Sequence, residues 1–392
     1  MPISKKIRDS ITRTSWIRKM FEEGAILKSR YGPENVFDFS LGNPNLPPPK
    51  DFHPCVINAI QENQDGIHGY MPNSGFLSAR QAVAEYVSKD HGIQLTAEHI
   101  IMTCGAAGAM NVILKAILNP DDEVICPSPF FVEYTYYVDN HGGILKPVPT
   151  NPDFTLNIDA ISKAMSHKTK AIILNSPNNP TGQIYSQNSL EALAECLQAY
   201  QKDNGQIIYL ISDEPYRKIV YDQMHVPSIL SCYTESFICT SYSKDLSIPG
   251  ERIGYLAVHP EATGIQDLLA AMAMTNRILG FVNAPALMQR VVAKLQHVSI
   301  DINQYKIKRD LLCDGLASFG YQLTKPLGAF YLFPRSPVKD DVAFVRELQK
   351  ERILTVPGSG FGAPGHFRIA YCVDDQTIIN AMEGFKRTIE NM

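Results

Sequence analysis

The sequence predicts an α/β protein built on a mostly parallel, doubly wound sheet. Three observations predict it. Short β-branched runs alternate with helical patterns through the middle of the chain, most of those runs are apolar throughout, and turn-forming or reactive residues follow them. Continuously apolar strands are buried on both faces, as in a parallel sheet covered by helices. Regular alternation of strand and helix is the signature of the doubly wound class.

The expected strands, in order, are Ile100–Cys104, Val124–Cys126, Ile144–Val148, Ala171–Asn175, Ile207–Ser212, Phe237–Thr240 and Ile253–Val258. Helical patterns intervene, among them "GAAGAMNVILKAIL" and "SLEALAECLQAYQ", the second with Ser189 as its expected N-cap. After Pro260 the pattern changes to long helices as far as about Phe319, and "AFYLFP" and "HFRIAY" read as strands of a second, smaller α+β unit. The segment before Pro47–Pro49 lies outside the alternating region and is expected to join that unit.

The chain has 392 residues, 45% hydrophobic and 19% charged, an ordinary globular composition. A formal net charge of −4 gives no basic field for nucleic acid or an anionic membrane. The eight cysteines form no C-x-x-C pair and no cluster with histidine, which argues against a metal site or a disulfide framework and for a reducing compartment. No apolar run approaches the roughly 18 residues a membrane span needs. The N-terminus, "MPISKKIRDSITRTSWIRKMF", is basic and hydroxyl-rich like a transit peptide. Its imperfect stripe of Ile7, Ile11, Ile17, Met20 and Phe21 reads instead as an amphipathic first helix of a cytoplasmic protein.

In a doubly wound sheet, ligands bind beyond the carboxyl ends of the strands. Four strand ends here are chemically unusual. "GAAGAM" opens a helix with small residues, whose free N–H groups suit a phosphate; tight helix–strand packing accounts for it equally well. "SPNNPTG" holds an asparagine amide between prolines, or is a plain loop. "DEPYR" puts Asp213 at a buried strand end, where an ionised carboxylate requires a partner, either a cation or backbone N–H groups. "SYSKDLSIPGERIGY" sets Lys244 among hydroxyls, with Arg252 eight residues later.

In this order, "NSPNNPTG", "SDEPYR", "SYSKDLSIPGERIGY" and the late "FRIAY" resemble the motif set of the pyridoxal phosphate-dependent aminotransferases of the aspartate aminotransferase superfamily. "SLGNPNLPPP" and "GYMPNSGFLSARQAVAEY" extend the resemblance over nearly the whole chain. It implies the fold-type I architecture: a mostly parallel seven-stranded sheet in a large domain over 47–285, and a small domain built from 1–46 and 286–392. It implies amino transfer between an L-amino acid and a 2-oxo acid by a ping-pong route, and a homodimer with shared active sites.

By the same resemblance Lys244 is the Schiff-base lysine and proton carrier, and Asp213 partners the pyridinium nitrogen. Tyr216 and Asn179 bond the ring's phenolic oxygen. Arg252, Ser241 (a better match than Ser243) and the backbone of Ala106 and Ala107 hold the phosphate, with Tyr70 reaching it from the partner subunit. Phe131 matches the aromatic that stacks on the ring, although a core Phe is the plain alternative. Arg368 clamps the substrate α-carboxylate, helped by the backbone near Gly42 and by Asn179.

Two positions depart from the family pattern. Ala107 stands where some bacterial aspartate aminotransferases carry a lysine that reads an acidic side chain. Glu251 stands before Arg252, where an apolar residue is common. Two rival functions share the motifs: a carbon–sulfur β-lyase on the same scaffold, and a ligand-sensing domain of a transcription factor. The second lacks any helix-turn-helix pattern in the roughly 40 residues before "SLGNP".

Overall fold

The computed structural model describes residues 2–12, 16–62 and 65–392. Seven strands form the central sheet: β1 (Ile100–Thr103), β2 (Glu123–Ser128), β3 (Ile144–Pro149), β4 (Thr169–Asn175), β5 (Tyr209–Asp213), β6 (Ser236–Ser241) and β7 (Gly254–Val258). Their spatial order is β1-β7-β6-β5-β4-β2-β3. Neighbours run parallel except β7, which is antiparallel to both β1 and β6. Each expected strand is present, with ends shifted by a few residues. The reversed β7 was not legible in the apolar pattern, because an apolar strand carries no direction. It follows from the short β6–β7 link, which holds no crossover helix of the kind a parallel return needs.

Alternate residues feed opposite faces of the sheet, as the two-residue period of a strand requires. Ile100, Met102, Ile172, Leu174 and Leu210 join one core cluster, while Ile101, Ala171, Ile173 and Ile211 join the cluster on the other face. At about 1.5–3 kcal/mol for each fully buried large aliphatic side chain, these two layers hold the sheet and its covering helices together.

The helix Gln187–Asn204 is capped by Ser186, whose Oγ accepts from the Ser189 N–H at 3.2 Å, and not by Ser189. A cap lies outside the helix in extended backbone, and Ser186 does so at φ −73° and ψ 158°. In the N-terminal region two helices form, Lys5–Thr12 and Trp16–Tyr31. The expected stripe is only partly buried: Met20 is in the core, while Ile7 and Ile11 are exposed. The side chains of Ile17 and Phe21 lie outside the described residues.

A third cluster gathers Met20 and Phe39 with Tyr305, Leu312, Phe330, Phe344, Phe367 and Phe385. It surrounds an antiparallel sheet of Val356–Pro357, Phe367–Ala370 and Tyr331–Leu332, and a parallel pair of Phe37–Asp38 with Ile353–Leu354. "AFYLFP" and "HFRIAY" thus do supply strands. No helix among the described residues is long and apolar enough to cross a membrane.

Candidate active site

Strand register brings the reactive residues to one edge. Asn175, Asp213 and Cys239 are successive partners across β4, β5 and β6, and Thr103 and Ser241 both pair with Gly254 at the start of β7. Beyond this edge lies a cavity of about 390 Å³. Gly42, Ala106, Ala107, Phe131, Asn179, Asp213, Tyr216, Ser241, Lys244, Arg252 and Arg368 all line it. Of the residues expected at the site, Tyr70 alone does not; it is 94% exposed.

Asp213 closes β5 and is buried. Its Oδ2 accepts from the Tyr134 hydroxyl at 2.5 Å, and the Cys239 thiol lies 3.8 Å from Oδ1. Neither group carries a positive charge, so burial raises the carboxyl to about 7 in spite of the Tyr134 hydrogen bond. This is the partner problem that the sequence posed, and no cation among the described residues resolves it. The native state without ligand holds the proton to about pH 7, whereas an unfolded Asp releases it near 3.8. Cofactor-free protein should therefore lose stability as pH rises from about 4 to 7, by up to about 4 kcal/mol from this group. Asp213→Asn should lack that slope in urea denaturation, and equal slopes in the two proteins would refute the account.

Lys244 follows β6, and its Nζ donates to the Gly42 carbonyl at 2.8 Å. Burial, reinforced by the charges of Arg368 and Arg252 and opposed by Cys372, lowers its pKa to about 8. A fair fraction of the amine is therefore neutral near physiological pH, as a nucleophile and proton acceptor requires.

The helix Gly105–Ile117 begins at the end of β1 with Gly105 in the left-handed region, φ +74°. A Cβ there would stand 3.1 Å from Arg252 Nη2. Arg252 is itself left-handed at φ 52°, and its Nη1 donates to the Pro249 carbonyl at 3.0 Å. Strain of this kind in a residue other than glycine persists where the surroundings enforce it, often at ligand sites. Free N–H groups of a first helical turn, a serine and a guanidinium together form an anion cradle.

Arg368 is 2% exposed. It lies between the rings of Tyr331 and Phe361, with its Cζ 4.7 Å from each centroid. Nη1 donates to Asn179 Oδ1 at 3.0 Å and Nη2 to the Ser40 carbonyl at 2.6 Å, leaving Nε without a partner. A buried guanidinium with no carboxylate beside it is prepared for an anionic ligand. Asn179 is fixed in turn by its N–H to Asn175 Oδ1 at 2.6 Å, and Tyr216 by a hydroxyl pair with Tyr331 at 2.9 Å.

Several lining residues were not foreseen. Tyr134 and Glu133 sit in "SPFFVEY", where only Phe131 had been read, although a polar residue beside a strand end was a usable signal. Tyr331 enters from "AFYLFP", a stretch that reads only as a strand. Gly42 makes room for it: a Cβ at Gly42 would fall 1.9 Å from the Tyr331 hydroxyl. Glu251, the departure beside Arg252, is exposed.

Residues 34–385 match the family model for aminotransferase class I and II. The aspartate/prephenate aminotransferase of Thermus thermophilus is 31% identical over 89% of this chain and 90% of its own. Among solved structures, an amino transferase from Eubacterium rectale is 38% identical with a TM-score of 0.96, covering 100% of this chain and 99% of that one. The Thermus thermophilus aspartate aminotransferase crystallised with maleate is 27% identical with a TM-score of 0.87, covering 99% and 100%. A buried acid lacking a cation, a lysine of lowered pKa and an anion cradle fit the cofactor of that family. The chain belongs to the class I and II aminotransferases and is a pyridoxal phosphate-dependent aminotransferase.

Proposed function

We propose that this one cavity serves both halves of amino transfer, from an L-amino acid and then to a 2-oxo acid, with the following division of labour. Bound pyridoxal phosphate supplies an electron sink for the negative charge that develops at the substrate Cα. Asp213 would keep the ring nitrogen protonated, and Tyr216 and Asn179 would bond the phenolic oxygen. Arg252, Ser241 and the N–H groups of Ala106 and Ala107 would hold the phosphate. Phe131 would lie against the ring; its edge-on contact with Tyr134, at 5.6 Å and 88°, supports that placement.

Lys244 Nζ takes the proton from Cα and returns it. Arg368, with Asn179 and the backbone at Gly42, binds the α-carboxylate and so fixes which Cα bond faces the electron sink. The observation that carries this reading is the pairing of an uncompensated buried Asp213 with a partly neutral Lys244 in one cavity.

Tyr70 would reach the phosphate of a partner subunit in a homodimer. Its segment is pinned for presentation by Asn276 Nδ2 to the Asn73 carbonyl at 2.8 Å and by Asn283 Nδ2 to the Pro72 carbonyl at 2.9 Å. We also infer a large domain from about residue 47 and a small one from both chain ends. Packing supports a boundary near Ile300 rather than 285, because Met288, Val291, Val292 and Leu295 belong to a cluster of the large sheet. A cytoplasmic location fits eight free cysteines.

The test is to titrate purified holoenzyme with single amino acids in the absence of any oxo acid, following cofactor absorbance. Conversion of the cofactor band by a subset of amino acids, reversed by 2-oxo acids, is the expected result. Release of pyruvate and ammonia from cystathionine with the band unchanged would mark a β-lyase instead, a reaction that no feature of the cavity favours.

A further inference from the structure

Five charged side chains line the cavity: Glu133, Asp213, Lys244, Arg252 and Arg368. Four of them have hydrogen-bond partners. Glu133 has none among the described residues, and burial alone acts on its carboxyl, raising it above the usual range. Its position as the first residue of the helix Glu133–Asn140 makes an acid tolerable there, because that end of a helix favours negative charge. The helix end does not explain why the carboxylate lines this cavity.

Two helix faces form the wall around it. Glu133 and Tyr137, four residues apart, share one face of their helix; Ala107 and Met110, three apart, share one face of the helix Gly105–Ile117. All four line the cavity, and Phe131 adds an aromatic surface beside them. Ala107 leaves this wall without a cation. The three cations of the cavity are those assigned above to the cofactor phosphate, the proton transfer and the α-carboxylate. A second substrate carboxylate on this side would therefore meet a like charge and, among the described residues of this chain, no free positive group. A side chain ending in N–H or O–H would find an acceptor.

We propose that Glu133 reads the side chain of the amino-acid substrate, accepting a hydrogen bond from an amide, hydroxyl or amine and rejecting a carboxylate. This rests on the amino-transfer reading and on Arg368 as the α-carboxylate site. It separates this chain from relatives named for aspartate, and the separation comes from its own residues.

Near-isosteric donors test it on the holoenzyme: glutamine against glutamate, and asparagine against aspartate, with kcat/KM of the half-reaction read from cofactor absorbance. Wild type should favour each amide over its acid by at least about tenfold. Glu133→Gln should bring both ratios to within about twofold, and Glu133→Ala should shift them in the same direction. Because each ratio is internal to one protein, a partly folded variant still reports it. Calorimetry with unreactive maleate gives a second readout, with binding at least about tenfold tighter in Glu133→Gln than in wild type. A wild-type preference for the acids overturns the proposal, as do ratios and maleate affinity that Glu133→Gln leaves unchanged. If none of the four amino acids reacts, the maleate comparison still decides the role of Glu133.

Discussion

Lys244→Ala is expected to lower amino transfer by about 10³-fold or more, since both a nucleophile and a positioned proton carrier are lost. The structure makes this substitution unusually decisive. Lys244 is the only lysine lining the cavity among the described residues, so no neighbouring amine of theirs can take over its proton. The partner it leaves behind is a backbone carbonyl, that of Gly42, and not a charged group. Folding should therefore be little disturbed, and thermal denaturation of the variant should match wild type within a few degrees. Single-turnover kinetics with added cofactor measures the effect. A variant that transfers amino groups at near wild-type rate would remove Lys244 from the chemistry, and with it the assignment of this cavity.

The second large effect concerns Arg368. Arg368→Lys should lower kcat/KM for every amino donor by roughly 10²-fold, chiefly through KM, for a loss of about 3 kcal/mol in charge-assisted hydrogen bonding. A lysine keeps the charge but not the planar fork, and it cannot fill the slot between Tyr331 and Phe361 in the same way. The Asn179 side chain would also lose a donor, loosening the residue that is otherwise fixed by Asn175. Because every amino acid carries the same α-carboxylate, the loss should be uniform across donors, unlike the side-chain-dependent change expected at Glu133. Unchanged KM values across a panel of donors would place the α-carboxylate elsewhere.

The candidate site was legible in the sequence wherever chemistry followed a strand. Asp213, Lys244, Asn179 and the Gly105–Ala107 turn each come at or within a few residues of the end of an apolar run, so the continuously apolar runs located them. The residues that were missed reach the cavity by another route. Tyr331 and Tyr134 are aromatic residues in aromatic-rich stretches, and such a stretch does not reveal which ring turns a hydroxyl toward another residue of the cavity. Glu133 carries no signal of its own in the sequence beyond its place near a strand end. Its significance comes from Ala107, which is 26 positions away in the chain and lines the same cavity.

What the sequence determined by itself was local and periodic: seven apolar strands, the helices between them, and reactive residues at the strand ends in a recognisable order. These depend on side-chain alternation and turn chemistry, which neighbours in the chain decide. The direction of β7 and the choice of Ser186 over Ser189 as a cap came from link length and local backbone geometry, which the apolar pattern does not carry. The tertiary structure alone decided the pairing of Asp213 with Tyr134. It also decided that the cations of the cavity are all engaged while one acid is not. Those outcomes depend on which groups are left without water and without a partner once distant segments meet, and desolvation is a property of the folded whole.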